Sequence, residues 1–294
     1  MNTHILSQEF EYVEPRTIEE ASLLISRYGE KARLIAGGTD LLVQMKTGKV
    51  NPEVLISISR IPALRYLIEE KGLRIGALTC FRDLERSAKI KRQYTALFEA
   101  ARSVSCMQIK NMGTIGGNLC NGSPAADSAP PLIAFGGRAK WMEREQMKGL
   151  PLEDFFIGPG KTVLSPGAVL AEVEVPEMPE GCGSAFLKMG RVSADLAKVS
   201  VAAAVVREGK ACSHCKIVFG AVGKTPLRTR QAEAILVGKE VREDILEKAA
   251  ERASEEIEPI DDIRSTAWYR RQVSRVLARD AILLAWRRTT ETGE

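Results

Sequence analysis

Histidine is almost missing from this chain: only His4 and His214 occur in 294 residues. Neither stands in a glycine-rich stretch, so a Ser-His-Asp hydrolase triad has no centre. An excess of one charge sign is lacking too, with 42 Lys+Arg against 38 Asp+Glu and a formal net charge of +4. At this length that excludes an electrostatic argument for nucleic acid or an anionic membrane surface. No run of about 18 apolar residues occurs, so no membrane span is expected, and MNTHILSQEFEYVEP lacks a basic region followed by an apolar one. The protein is expected to be unexported. Its six cysteines (Cys80, Cys106, Cys120, Cys182, Cys212, Cys215) read as reduced thiols, which favours the cytoplasm.

Two nucleotide motifs fail as well. Gly158-Pro159-Gly160-Lys161-Thr162 has the end of a triphosphate-binding loop, but the first glycine it needs is replaced by Phe155, and no G-x-G-x-x-G follows a strand. Cys212-Ser213-His214-Cys215 has metal-ligand spacing. On a strand, however, residues three apart point to opposite faces, and no second pair completes four ligands, so no metal site is expected. Internal repeats and low-complexity tracts are absent.

The composition that remains, 45% hydrophobic with 24 Gly and 13 Pro, suits one or two globular domains of α/β (α+β) character. Thr17 and Glu20 form a capping box before a helical repeat of Ile18, Ala21, Leu24, Ile25 and Tyr28, which Gly29 ends. Strands are expected at Leu34-Ile35-Ala36 and Val54 to Ile58, and a hairpin from Leu64 to Ala77 turns at Glu70-Lys71-Gly72. The nearly uncharged stretch from Cys106 to Gly137 reads as a long loop, which in a compact domain implies a function. PEMPEGCG at 176–183 is the best domain boundary. A second hairpin, 198–206 and 211–222, precedes three helices at 229–237, 242–256 and 265–288. Arg270, Arg271, Arg275, Arg279, Arg287 and Arg288 on the last helix read as a solvated face, with a partner-docking surface as the alternative.

Two double glycines carry the chemistry. In Leu34-Ile35-Ala36-Gly37-Gly38-Thr39-Asp40-Leu41-Leu42 the pair ends a strand, and Thr39 or Asp40 can cap a following helix. Residues without Cβ let the backbone turn sharply and aim amide groups at a phosphate, although a plain strand-to-helix turn looks the same. Gly113 to Asp127 supplies a second pair, Gly116-Gly117, with hydroxyl and amide donors at Thr114, Asn118, Asn121 and Ser123 and a carboxylate at Asp127. Two such loops can grip a pyrophosphate from both sides.

AGGTDLL at 36–42, TIGGN at 114–118, SPAAD at 123–127 and FFIGPGKT at 155–162 together resemble the FAD-binding medium subunit of molybdenum hydroxylases. That group includes xanthine dehydrogenase and carbon monoxide dehydrogenase. The likeness continues through AVLAEVEVP at 168–176 and AFLKMGR at 185–191 and covers nearly the whole chain. It implies a two-lobed FAD-binding domain over 1–176, of the type shared with vanillyl-alcohol-oxidase-like flavoproteins. A sheet-plus-helices domain of the carbon monoxide dehydrogenase flavoprotein type is implied over 177–294. Noncovalent FAD would then be held by Leu34, Ile35, Ala36, Gly37, Gly38, Thr39, Asp40, Leu41, Val104, Thr114, Ile115, Gly116, Gly117, Asn118 and Asp127. The backbone of Leu170 and the cation of Lys188 would lie near the flavin ring.

The resemblance assigns no side chain as a general acid or base and no metal ligand to this chain. It places the molybdenum cofactor on a large subunit and 2Fe–2S clusters on a small one, in a dimer of heterotrimers that passes electrons to NAD+ or another acceptor. A stand-alone flavin oxidoreductase and a flavin-free assembly subunit are the alternatives.

Overall fold

The computed structural model describes Leu6 and residues 8–290, so His4 lies outside the described residues. A small parallel sheet forms first. It comprises β1 (Glu11–Val13), the helix α1 (Ile18–Tyr28), β2 (Ala32–Ile35), the helix α2 (Leu41–Lys46) and β3 (Val54–Ser57), in the strand order β1-β3-β2. The central strand β3 is buried at all four positions, as parallel strands covered on both faces are. Thr17 caps α1 by accepting the Glu20 amide at 3.2 Å. The Glu20 carboxylate, however, reaches past the cap residue to accept the Arg16 amide at 2.8 Å, so the expected box is displaced by one residue.

A five-stranded antiparallel sheet follows. Its hairpin β4 (Leu67–Ile68) and β5 (Leu73–Gly76) turns at Gly72, whose φ of +88° suits glycine. The chain then runs through α3 (Phe81–Arg86), α4 (Ala88–Gln93), α5 (Thr95–Ser103), α6 (Met107–Met112), α7 (Ile115–Cys120) and α8 (Ala129–Ala134). Next come β6 (Arg138–Glu143), β7 (Gln146–Pro151), the short pair β8 (Phe156–Gly158) and β9 (Lys161–Thr162), and β10 (Val169–Val175); the sheet order is β4-β5-β10-β6-β7. The expected long loop from Cys106 to Gly137 is therefore wrong. It holds three helices of six residues each, α6 to α8. Tertiary packing overrides the poor helix propensity of Gly, Asn and Pro there: Leu119, Ala129 and Leu132 are fully buried in the main core.

The last sheet is β11 (Cys182–Met189), β12 (Val199–Glu208), β13 (Ala211–Gly220) and β14 (Leu227–Arg228), antiparallel in that order. Helices α9 (Arg230–Leu236), α10 (Glu243–Glu256) and α11 (Ala267–Arg288) complete the chain. Both faces of β12 are buried, in two different cores. Val201, Ala203 and Val205 pack with the alanines of α10 and α11, while Ala202 and Ala204 join the core that holds α5, α8 and the five-stranded sheet. The period of two in β12 thus seats the last sheet between its own helices and the preceding layer.

The structure also corrects the geometry of Cys212 and Cys215. Val206 pairs with His214 but Arg207 pairs with Cys212, so Ser213 is an extra, bulged residue. The bulge brings both thiols into the one core, where Cys212 is fully buried, rather than to opposite faces. Among the described residues no group of three or more His, Cys, Asp and Glu is arranged to hold a metal ion. No described helix is long and apolar enough to cross a membrane.

Of the arginines of α11, Arg287 is exposed as a solvated position, but the other five are engaged with neighbouring elements. Arg270 is buried and donates to the Ala221 carbonyl at 2.8 Å while pairing with Asp262 at 2.7 Å. Arg271 donates to the carbonyls of Ser254, Glu255 and Ile257 at the end of α10. Arg275 and Arg279 pair with Glu243, Glu247 and Glu251 on α10, and Arg288 pairs with Glu99 on α5. These cations serve the fold.

Candidate functional site

A cavity of about 490 Å³ opens between the parallel sheet, the α5–α8 segment and the end of β11 with the loop that follows it. Except for Ile115, every residue named above for the cofactor lines it. Ile115 is fully buried in the main core and faces away. The wall also includes Asn121, named above with the second loop, and residues that carry no motif and were missed in the sequence, among them Gln44, Phe81 and Leu196.

The first loop follows from β2 and α2. Gly38 has φ +70°, a left-handed turn that glycine adopts freely. Gly37 is required by contact instead, since a Cβ there would lie 1.8 Å from the Met112 carbonyl oxygen at the end of α6. The two glycines therefore turn the chain and press it against the second glycine segment. Among the described residues the amides of Gly37, Gly38 and Thr39 have no hydrogen-bond acceptor. Neither Thr39 nor Asp40 caps α2 with its side chain. This loop offers amide donors to the cavity, in the manner of an anion nest. Asp40 stands at its rim, and partial burial pushes its carboxyl above the ordinary range.

The second loop is built differently from the expected mirror image. Its amides are already used: Ile115 donates to the Thr79 carbonyl at 2.9 Å, Gly116 to Ala77 at 2.8 Å, and Gly117 to the Thr114 hydroxyl at 3.0 Å. Thr114 thereby caps α7. What this segment gives the cavity is shape and side chains. Gly117 faces the open space, and the Ser128 hydroxyl donates to Asn118 Oδ1 at 2.6 Å, leaving the Asn118 amide nitrogen to donate elsewhere. Gln44 donates to Asn121 Oδ1 at 3.2 Å and links the two loops.

Opposite the loops, a bulge between Leu170 and Glu172 shifts the register of β10 against β6, and the adjacent residues Val169 and Leu170 both reach the cavity. Lys188 Nζ donates to Asp127 Oδ2 at 2.6 Å, with side chains only 7% and 8% exposed. It also donates to the Ser103 carbonyl at 3.4 Å, just before Val104. Lys188 is thus a buried, positioned cation rather than a surface lysine. Asp127 Oδ1 is buried without any partner. Burial pushes the Asp127 carboxyl up to about 6, although the ammonium of Lys188 opposes the rise.

Residues 8–178 match the family model described as the FAD binding domain in molybdopterin dehydrogenase, and residues 184–285 match the CO dehydrogenase flavoprotein C-terminal domain. The chain belongs to the FAD-binding medium subunits of the molybdenum hydroxylases. It is similar to the carbon monoxide dehydrogenase medium chain of Hydrogenophaga pseudoflava, 33% identical over 97% of this chain and 99% of that one. The xanthine dehydrogenase FAD-binding subunit of Escherichia coli O157:H7 is 30% identical over 86% and 88%. The solved carbon monoxide dehydrogenase of H. pseudoflava that lacks the Mo-pyranopterin moiety superposes with a TM-score of 0.94 at 34% identity, covering 97% of this chain and 99% of that one.

The residues present fit FAD on the cavity's own features. Unpaired amides suit its phosphates, the bare surface at Gly117 admits a close approach, and the orphaned Asp127 Oδ1 suits a hydroxyl or ring N–H donor. The volume also lies in the range of cofactor pockets. As a medium subunit of this family, the chain is an oxidoreductase flavoprotein subunit.

Proposed function

We propose that residues 1–176 bind FAD noncovalently and that 177–294 form a domain packed against them. We further propose that the chain carries electrons within a cytoplasmic complex. A small subunit bearing 2Fe–2S clusters would deliver electrons singly, and a large molybdopterin subunit would hydroxylate the substrate. The three would assemble as a dimer of heterotrimers, with NAD+ or another acceptor taking the electrons. When bound, FAD supplies the exchange between one-electron and two-electron transfer, and the protein orients it and controls its electrostatics.

The single observation that carries this reading is the cavity between two glycine loops whose far wall holds the buried Asp127–Lys188 pair. Gly37, Gly38 and Thr39 would bind the pyrophosphate through their amides, the Asn118 side-chain amide would donate to a cofactor oxygen, and the Asp127 carboxylate would accept from a hydroxyl or ring N–H. Val104 and Leu170 would exclude water from the ring, and Lys188 would place a positive charge beside it.

Copurification with partner subunits followed by an absorbance spectrum tests the proposal. Flavin and iron–sulfur bands together, with reduction of NAD+ by the complex, are the expected result. A colourless preparation overturns the cofactor assignment. Substrate turnover by the yellow isolated chain would instead favour a stand-alone oxidoreductase.

A further inference from the structure

We propose that FAD binding is linked to one proton at Asp127: the ionised Asp127–Lys188 pair holds the cofactor, and protonation of Asp127 weakens its grip. This inference rests on the FAD reading above and adds to it a dependence that the cofactor alone would not show.

The geometry divides the carboxylate into two acceptors. Oδ2 is engaged by Lys188 at 2.6 Å, and Oδ1 is buried with no partner on the wall of the cavity. An ionised carboxylate only accepts, so a cofactor hydroxyl or ring N–H completes the set at Oδ1. Protonation removes acceptor capacity there and withdraws the counter-charge from an ammonium that is itself more than nine-tenths buried. Both changes disfavour the bound state.

The site also titrates where the linkage can be measured, because burial raises the Asp127 carboxyl to about 6. Lys188, from β11, is the one described charge that acts on Asp127 closely enough to oppose this rise. The other ionisable groups on the wall are Arg33 on β2, Asp40 before α2, Cys120 on α7 and Asp195 in the loop after β11. Among them Asp40 is also a raised carboxyl and is the competing source of any acid titration.

The test is titration of the FAD-free full chain with oxidised FAD, followed by flavin fluorescence at a series of pH values. For the wild type, affinity should rise about tenfold from pH 5 to pH 7 and then level, the slope of one proton. Asp127→Asn should bind more weakly and lose the slope, with native circular dichroism showing that it folds. Lys188→Met, which leaves Asp127 without its counter-charge, should move the midpoint to higher pH. A flat wild-type profile overturns the linkage while leaving the FAD reading intact. So does a slope that persists in Asp127→Asn, or one that vanishes in Asp40→Asn while surviving in Asp127→Asn. Absence of FAD binding at every pH overturns both.

Discussion

Gly117 has only the Thr114 hydroxyl, at 3.0 Å, near the place a Cβ would take, and the rest of that space is open cavity. A valine there would fold but project two methyl groups into the volume the cofactor needs. Gly117→Val is therefore expected to yield colourless protein with native circular dichroism; a normal flavin spectrum would sink the placement of the second loop. Lys188 invites a redox test, because a buried cation beside the ring stabilises reduced, anionic flavin. Lys188→Ala should lower the two-electron potential by on the order of 30 mV, equivalent to about 1.4 kcal/mol. An unchanged potential in spectroelectrochemical titration would remove Lys188 from this role. The glycines and Asp127 were legible in the sequence because their types are unusual in such density. Gln44 was not, since a glutamine on a short helix carries no signal until Asn121 faces it at 3.2 Å.

Among the elements, α10 and α11 separate two uses of arginine. Arg271 satisfies carbonyls at the end of α10, which lack intrahelical partners. Removing it leaves acceptors unmet and a helix end without its cation, so Arg271→Ala should cost about 1–2 kcal/mol. Arg279 joins the half-exposed carboxylates of Glu243 and Glu247 near solvent, and Arg279→Ala should cost less than about 1 kcal/mol. Urea denaturation of the two variants decides it, and equal losses would count against the capping role. Helices of this kind were visible from their periodicity. The short helices α6 to α8 were not: runs such as Ile115-Gly116-Gly117-Asn118 are poor helix formers, and burial of Leu119 between layers makes them helical. The bulge at Ser213 was invisible for a related reason, because register is a property of two strands.

At the scale of the whole molecule, the cavity places a group of raised pKa inside the folded chain. Asp127 ionises near 6 when folded and near 3.8 ordinarily, so the FAD-free native state holds more protons between those values. Its stabilising contribution is full below about pH 4 and is lost as pH rises through 6. Chemical denaturation of wild type and Asp127→Asn should show their stability difference shifting by on the order of 2–3 kcal/mol across that window. The trend runs opposite to that proposed for FAD affinity, and a difference independent of pH would refute it. Three parts of the chain also meet at Arg288, which pairs with Glu99 at 2.7 Å and donates to the Ser184 carbonyl at 2.8 Å. Glu99 in turn accepts the Phe186 amide at 2.8 Å, joining α5, β11 and α11.

From the sequence alone came the mixed α/β class, the long terminal helices, the two glycine pairs and the family. Local periodicity and backbone freedom are written residue by residue, and motif order survives without coordinates. Only the tertiary structure decided that the second loop's amides face inward, that Asp127 keeps one oxygen unpaired beside a buried Lys188, and that the terminal arginines other than the exposed Arg287 are engaged within the fold. Each depends on which distant groups come within hydrogen-bonding reach, and that is set by packing between layers rather than by neighbours along the chain.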